Sequence, residues 1–226
     1  DEVEFQTGDW EESVKVENQK QPFEVVLSST RIETPRNITP QNMYSPHSIW
    51  NHSRQMNISR TLDGFNLAVK DLLRLAMSKI VVIDTYGWTQ QAVSTLQSFI
   101  HTIMQNRVNE QVPKISLFYK EKRGSGNSGN GSPAASLVKA RILEGLDKEL
   151  VNIDLQVYEL REVSGNDVFH NRCLLTEHGG VITCHGIGLS GEEAHTDEVI
   201  LMEPHIYEKK WQQFVEDCCF DVVSKT

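Results

Sequence analysis

The run Lys79-Ile80-Val81-Val82-Ile83-Asp84 constrains this chain more than any other stretch. Its four central residues are all β-branched, stiff at χ1 and suited to extended backbone. No polar residue alternates with them, so the strand they form must be covered on both faces. That is the condition of a central strand in an α/β sheet. The flanking segments supply the cover. Leu62, Phe65, Val69, Leu72, Leu73 and Ala76 recur at steps of three and four, which predicts an amphipathic helix over 61–78. Val93, Leu96, Ile100 and Ile103 predict a second helix over 89–106, and Lys114 to Tyr119 reads as the next strand.

Further along, Ser132-Pro133 offers an N-cap and first-turn pair for a third helix running to about Leu150. Ile153 to Tyr158 alternates as a half-exposed strand, Asp197 to Met202 reads as a strand, and Glu203-Pro204 opens a last helix. The order predicts an α/β fold with a mixed, mostly parallel sheet, flanked by helices and carrying an antiparallel hairpin at one side. Residues 1–60 read as an N-terminal arm. Residues 1–21 are acidic and Gln-rich, 23–28 suggest a strand, and Pro35, Pro40 and Pro46 punctuate an irregular segment holding Tyr44, His47, Trp50, His52 and Arg54. The single domain is expected over 61–226, with a flexible Gly/Ser/Asn loop at 120–132.

Chemistry concentrates between Val168 and Ser190, where titratable side chains interrupt apolar runs. On a strand, His170, Arg172 and Leu174 share one face, and Phe169, Asn171 and Cys173 the other. A Glu177-His178-Gly179-Gly180 turn joins this run to Val181-Ile182-Thr183-Cys184, a hairpin signature, and His185, Gly186 and Gly188 follow. Asp84 ends the buried strand, where open sheets place ligands. Lys120, Lys122 and Arg123 form a basic cluster that could grip phosphate.

His170-x-Arg172-x4-Glu177, followed by a strand ending in Gly186-x-Gly188-Leu189, resembles a doubly substituted version of the phospholipase D superfamily signature. It is most similar to the C-terminal phospholipase-D-like domain of the MIT-domain cytokinesis proteins, in which Asp84-Thr85-Tyr86 would match an Asp-Pro-Tyr. The resemblance implies a single phospholipase-D-like domain. It implies His170 as nucleophile, Arg172 as phosphate clamp and Glu177 as orienting carboxylate; Asp84, His185, Gly186, Gly188, Lys120, Lys122 and Arg123 are the candidate ligand-binding residues from the strand end, the glycine turn and the basic cluster. Two motif copies are needed per catalytic site, so activity would require a homodimer. The Arg and Glu substitutions suit holding an anion better than in-line attack. The expected function is therefore a catalytically degenerate domain that binds a phosphate-bearing ligand, a phospholipid head group or nucleic acid. The alternatives are a dimeric phosphodiesterase or nuclease and a protein-interaction module.

Net charge of -9 and a pI near 5.4 argue against non-specific wrapping of nucleic acid. The four cysteines, Cys173, Cys184, Cys218 and Cys219, read as reduced, which suits a cytoplasmic protein. Cys173, His178, Cys184 and His185 lack the paired spacing of a structural zinc site, so no metal or other cofactor is expected. The first residue is Asp1 rather than Met, which is read as one domain of a larger intracellular protein or assembly.

Overall fold

The computed structural model describes residues 9–23, 25–34, 37–41, 54–105, 111–124, 131–150, 152–165, 168–170, 172–190 and 194–226. The expectations for Pro35, Tyr44, Pro46, His47, Trp50, His52 and Asn171 fall outside these residues. The chain divides into two compact units, 1–53 and 54–226.

The first unit holds a helix, α1 (Trp10–Lys20), and two short parallel strands, β1 (Val26–Leu27) and β2 (Asn37–Ile38). The helix departs from the expected unstructured arm. It begins because the Asp9 carboxylate accepts from the Glu11 amide, and Glu11 and Glu12 sit in its positive first turn. Its Glu, Lys and Gln residues are good helix formers without an apolar stripe, so periodicity gave no signal.

The second unit is built on β3 (Gln55–Ser59), α2 (Leu62–Leu75), β4 (Lys79–Asp84), α3 (Gln90–Gln105), β5 (Lys114–Lys120), α4 (Ala135–Glu144), β6 (Leu155–Arg161), β7 (Arg172–Thr176), β8 (Gly179–Thr183), β9 (Thr196–Leu201), α5 (Pro204–Trp211) and β10 (Asp221–Lys225). One mixed sheet orders its strands β10-β6-β5-β4-β7-β8-β9-β3. Only β4–β5 and β5–β6 pair in parallel. The remaining neighbours are antiparallel, so the parallel part is smaller than the alternation of helices and strands suggested. Edge strands β3 and β10 carry too few apolar residues to stand out in the sequence, and β3 lies within the segment expected to be arm.

The sheet is covered unequally. Phe65, Val69 and Leu73 of α2, seven residues from Ala92 to Ile103 of α3 counting buried Thr95, and Ala135, Val138 and Ile142 of α4 are buried on one face. Each large apolar side chain so covered contributes about 1.5–3 kcal/mol. The other face is smaller and aromatic: Phe118 stacks on Tyr158 at 4.6 Å, and Phe214 meets Phe169 at 5.7 Å and Phe220 at 5.3 Å. β4 serves both faces, Ile80 and Val82 on the first, Val81 and Ile83 on the second, which is why its apolar run is unbroken.

One local expectation is corrected. Ser132 does not cap α4. Its hydroxyl donates to buried Glu159 at 2.7 Å, and the helix starts only at Ala135, without a side-chain cap, and ends at Glu144. Thr61 does cap α2, accepting from the Gly64 amide at 3.2 Å.

Candidate anion-binding site

Strand directions decide what can meet. β4 and β5 run parallel, β7 runs against β4, β8 against β7, β9 against β8 and β3 against β9. The ends of β3, β4, β5, β6 and β8 and the starts of β7 and β9 therefore share one edge of the sheet. This edge gathers Arg60, Asp84, Lys120, Glu162, Arg172, His185 and Asp197.

Asp84 is at its centre. It pairs in register with Arg172 across β4 and β7, and its side chain is 2 % exposed. One carboxylate oxygen accepts from the Tyr86 amide at 2.8 Å, the other from the Ile187 amide at 2.7 Å. Burial holds this carboxyl above its ordinary range, against the opposing pull of the two amides and of Arg172 and Arg60. Gly186 makes the approach possible. Its φ is +80°, and a Cβ there would lie 2.2 Å from Asp84 Oδ2. The following carbonyl, of Ile187, accepts from buried Thr95 of α3 at 2.6 Å, which ties the loop to the core.

Two arginines brace the same loop from opposite sides. Arg172 donates to the Cys184 carbonyl at 2.8 Å and lies over the Tyr86 ring at 5.9 Å. Arg60 donates to the Gly188 carbonyl at 2.7 Å, while its backbone is held by His195 and Ser190 at 2.9 and 3.0 Å. Neither guanidinium forms an ion pair among the described residues. Both keep a buried Nε without a hydrogen-bond partner, as do the Thr85 hydroxyl and the Trp88 indole N–H after β4. Buried donors left unpaired are costly and cluster where a ligand completes them.

His185 donates from Nδ1 to Asp197 at 3.1 Å; the Asp197 side chain is fully buried and also accepts from the amides of Cys184, His185 and Glu198. The imidazole itself is 60 % exposed. Arg60, Asp84, Tyr86, Thr89, Gln91, His185, Gly188 and Leu189 line a cleft of about 210 Å³. That is below the ~300–1,000 Å³ of pockets that enclose whole drug-sized molecules, so it suits one ligand group. Thr89 and Gln91 belong to the start of α3, whose positive end faces the cleft.

The expected site residues thus separate. Asp84, Arg172, His185, Gly186 and Gly188 come together. Glu177 does not: it lies at the opposite end of β7, roughly 16 Å along the strand from Arg172, and its carboxylate accepts from the amides of Met77, Ser78 and Lys79. Burial works to raise this carboxyl, but the amides outweigh it and hold it below its ordinary range. Its role is to anchor the α2–β4 turn, not to orient His170. His170 precedes β7, is exposed, and lies near enough to Glu162 to help lower that carboxyl, whose main cause is Lys120. It does not line the cleft.

The basic cluster is also reassigned. Lys120 donates to Glu162 at 2.6 Å, Arg123 to Glu121 at 3.4 Å, and Arg161 grips Glu121 with two donors at 2.6 and 2.7 Å. Among these only Lys122 has no ion pair among the described residues. Arg60, which lines the cleft, and Asp197, which holds the cleft-lining His185 from behind, are absent from the sequence expectations for the site. Arg60 directly follows a short polar-apolar alternation, Gln55 to Ser59, and Asp197 opens a strand that had been recognised. Those were the available signals.

No protein-family model matches the chain, and no curated protein does. Among solved structures it is similar to TrmBL2, an archaeal chromatin protein described as showing a novel mode of DNA binding, at 14 % identity and TM-score 0.39. That match covers 78 % of this chain, which spans 54 % of TrmBL2. It is also similar to Nuc, a phospholipase D family member from Salmonella typhimurium, at 10 % identity and TM-score 0.41, over 75 % of this chain and 97 % of Nuc. At these identities and scores neither likeness assigns an activity.

Proposed function

We propose that the cleft binds the phosphate group of a lipid head group or a nucleic acid. The observation that carries this reading is the pair of arginines. Arg60 lines the cleft, and Arg172 stands beside it over the ring of the cleft-lining Tyr86; both are fixed by carbonyls of one glycine-containing loop, form no ion pair among the described residues, and retain unpaired buried donors. A guanidinium so held has lost its conformational entropy before the ligand arrives, and its remaining N–H groups match phosphate oxygens. The α3 N-terminus adds favourable potential. Negative charge elsewhere on the chain limits the ligand to one that reaches the cleft with a single group rather than a long polyanion lying across the surface.

The test is calorimetric titration with inorganic phosphate, glycerol 3-phosphate and a short single-stranded oligonucleotide. Arg172→Ala should weaken whichever binds by about 10–100-fold, the equivalent of a charge-assisted hydrogen bond. Tighter binding of glycerol 3-phosphate favours the lipid source, and tighter binding of the oligonucleotide the nucleic acid. Absence of binding by the unaltered protein to all three would refute the reading.

A further inference from the structure

We infer that His185, oriented by Asp197, is a general base that directs water onto a phosphodiester held in this cleft. The inference rests on the anion-binding reading above and adds hydrolysis to it. An ionised carboxylate only accepts, so the contact at 3.1 Å places the imidazole proton on Nδ1 and leaves the Nε2 lone pair available. Asp197 cannot turn away, because three backbone amides hold its carboxylate in the same orientation. The base is thus buried on its anchoring side and exposed on its working side, and it lines the same cleft as Arg60 and the start of α3. His170, in contrast, has no carboxylate hydrogen bond among the described residues and lies outside the cleft.

The step balances without a further reagent. Water gives a proton to His185 Nε2 as its oxygen forms a bond to phosphorus. The ester P–O bond opposite breaks, and the departing alkoxide takes a proton from solvent, to which the imidazolium returns its own. A phosphomonoester and an alcohol result. Arg60 and Arg172 offset charge on the phosphoryl oxygens, and because both the base and the clamp come from one chain, no second copy is required.

The experiment follows release of nitrophenolate from bis(4-nitrophenyl) phosphate, with inorganic phosphate binding measured on the same preparations. His185→Gln removes the base at an exposed position, so folding is preserved. It should lower kcat by about 100-fold or more while phosphate binding persists, and the acid limb of the kcat/KM profile should disappear with it. Asp197→Asn tests positioning. If it folds, kcat should fall while phosphate binding persists, and His185→Gln decides the matter if it does not. Hydrolysis at the unaltered rate in His185→Gln overturns the inference, as does a protein that binds phosphate and never cleaves the diester. A protein that binds no phosphate refutes the anion-binding reading and the inference with it.

Discussion

Two clusters of positive charge share the carboxyl edge of the sheet and are neutralised in different ways. Beside β5 and β6, Lys120, Arg123 and Arg161 each meet a glutamate, Glu162 or Glu121. Beside β4, β7 and β3, the guanidinium hydrogen bonds of Arg172 and Arg60 among the described residues go to carbonyl oxygens, while the neighbouring Asp84 gives its own lone pairs to amides. The first cluster is denser in basic residues, yet its charge is spent within the protein. In the second, carbonyl dipoles fix each guanidinium without cancelling it. Availability for an outside anion follows from the partner, not from the number of lysines and arginines.

The largest effect is expected at Gly186. Gly186→Ala forces a Cβ onto Asp84 and an unfavourable backbone at φ +80°. It should destabilise the protein by more than about 3 kcal/mol in urea denaturation and remove phosphate binding at any temperature at which it remains folded. Retained binding would show that the loop's contact with Asp84 does not shape the cleft.

Glu177→Gln sharpens the same contrast from the far end of β7. Losing a carboxylate that accepts from three amides should lower stability by about 1.5–3 kcal/mol, with phosphate affinity unchanged. Because its folded pKa is depressed, its contribution is present above the unfolded value, about 4.3, and is lost as pH falls through the folded one. The stability gap between the parent and Glu177→Gln should therefore close in acid. A loss of affinity would restore Glu177 to the site.

The smallest effect belongs to the paired cluster. Lys120→Ala and Arg123→Ala together should change stability by no more than about 1 kcal/mol and leave phosphate affinity unaltered, since the partners are surface ion pairs.

How far the sequence displayed this arrangement depended on whether a feature was local. The β4 run, the α2 helix and the hairpin at Glu177 to Gly180 are set by neighbouring residues, and local pattern revealed them. So did strand alternation across Arg172, Cys173 and Leu174, which fall on the expected faces. Arg60 and Asp197 acquire meaning only through the pairing of β3 with β9 and β9 with β8, which nothing local specifies. The counter-ion of Lys120 was hidden for a related reason: Glu162 is 42 residues away and reaches it through the parallel pairing of β5 and β6, whereas Arg123 meets Glu121, two residues before it. The spacing of His170, Arg172 and Glu177 suggested one site, but a strand of five residues separates its ends, and Glu177 was carried to the other edge.

The most direct test is a heteronuclear NMR titration of the amide resonances with inorganic phosphate. The largest shifts are expected on Gly186, Ile187 and Gly188 and on the Nε–H groups of Arg60 and Arg172, with Lys120 to Arg123 unmoved. Shifts centred on 120–123, with the 186–188 amides silent, would contradict the anion-binding reading.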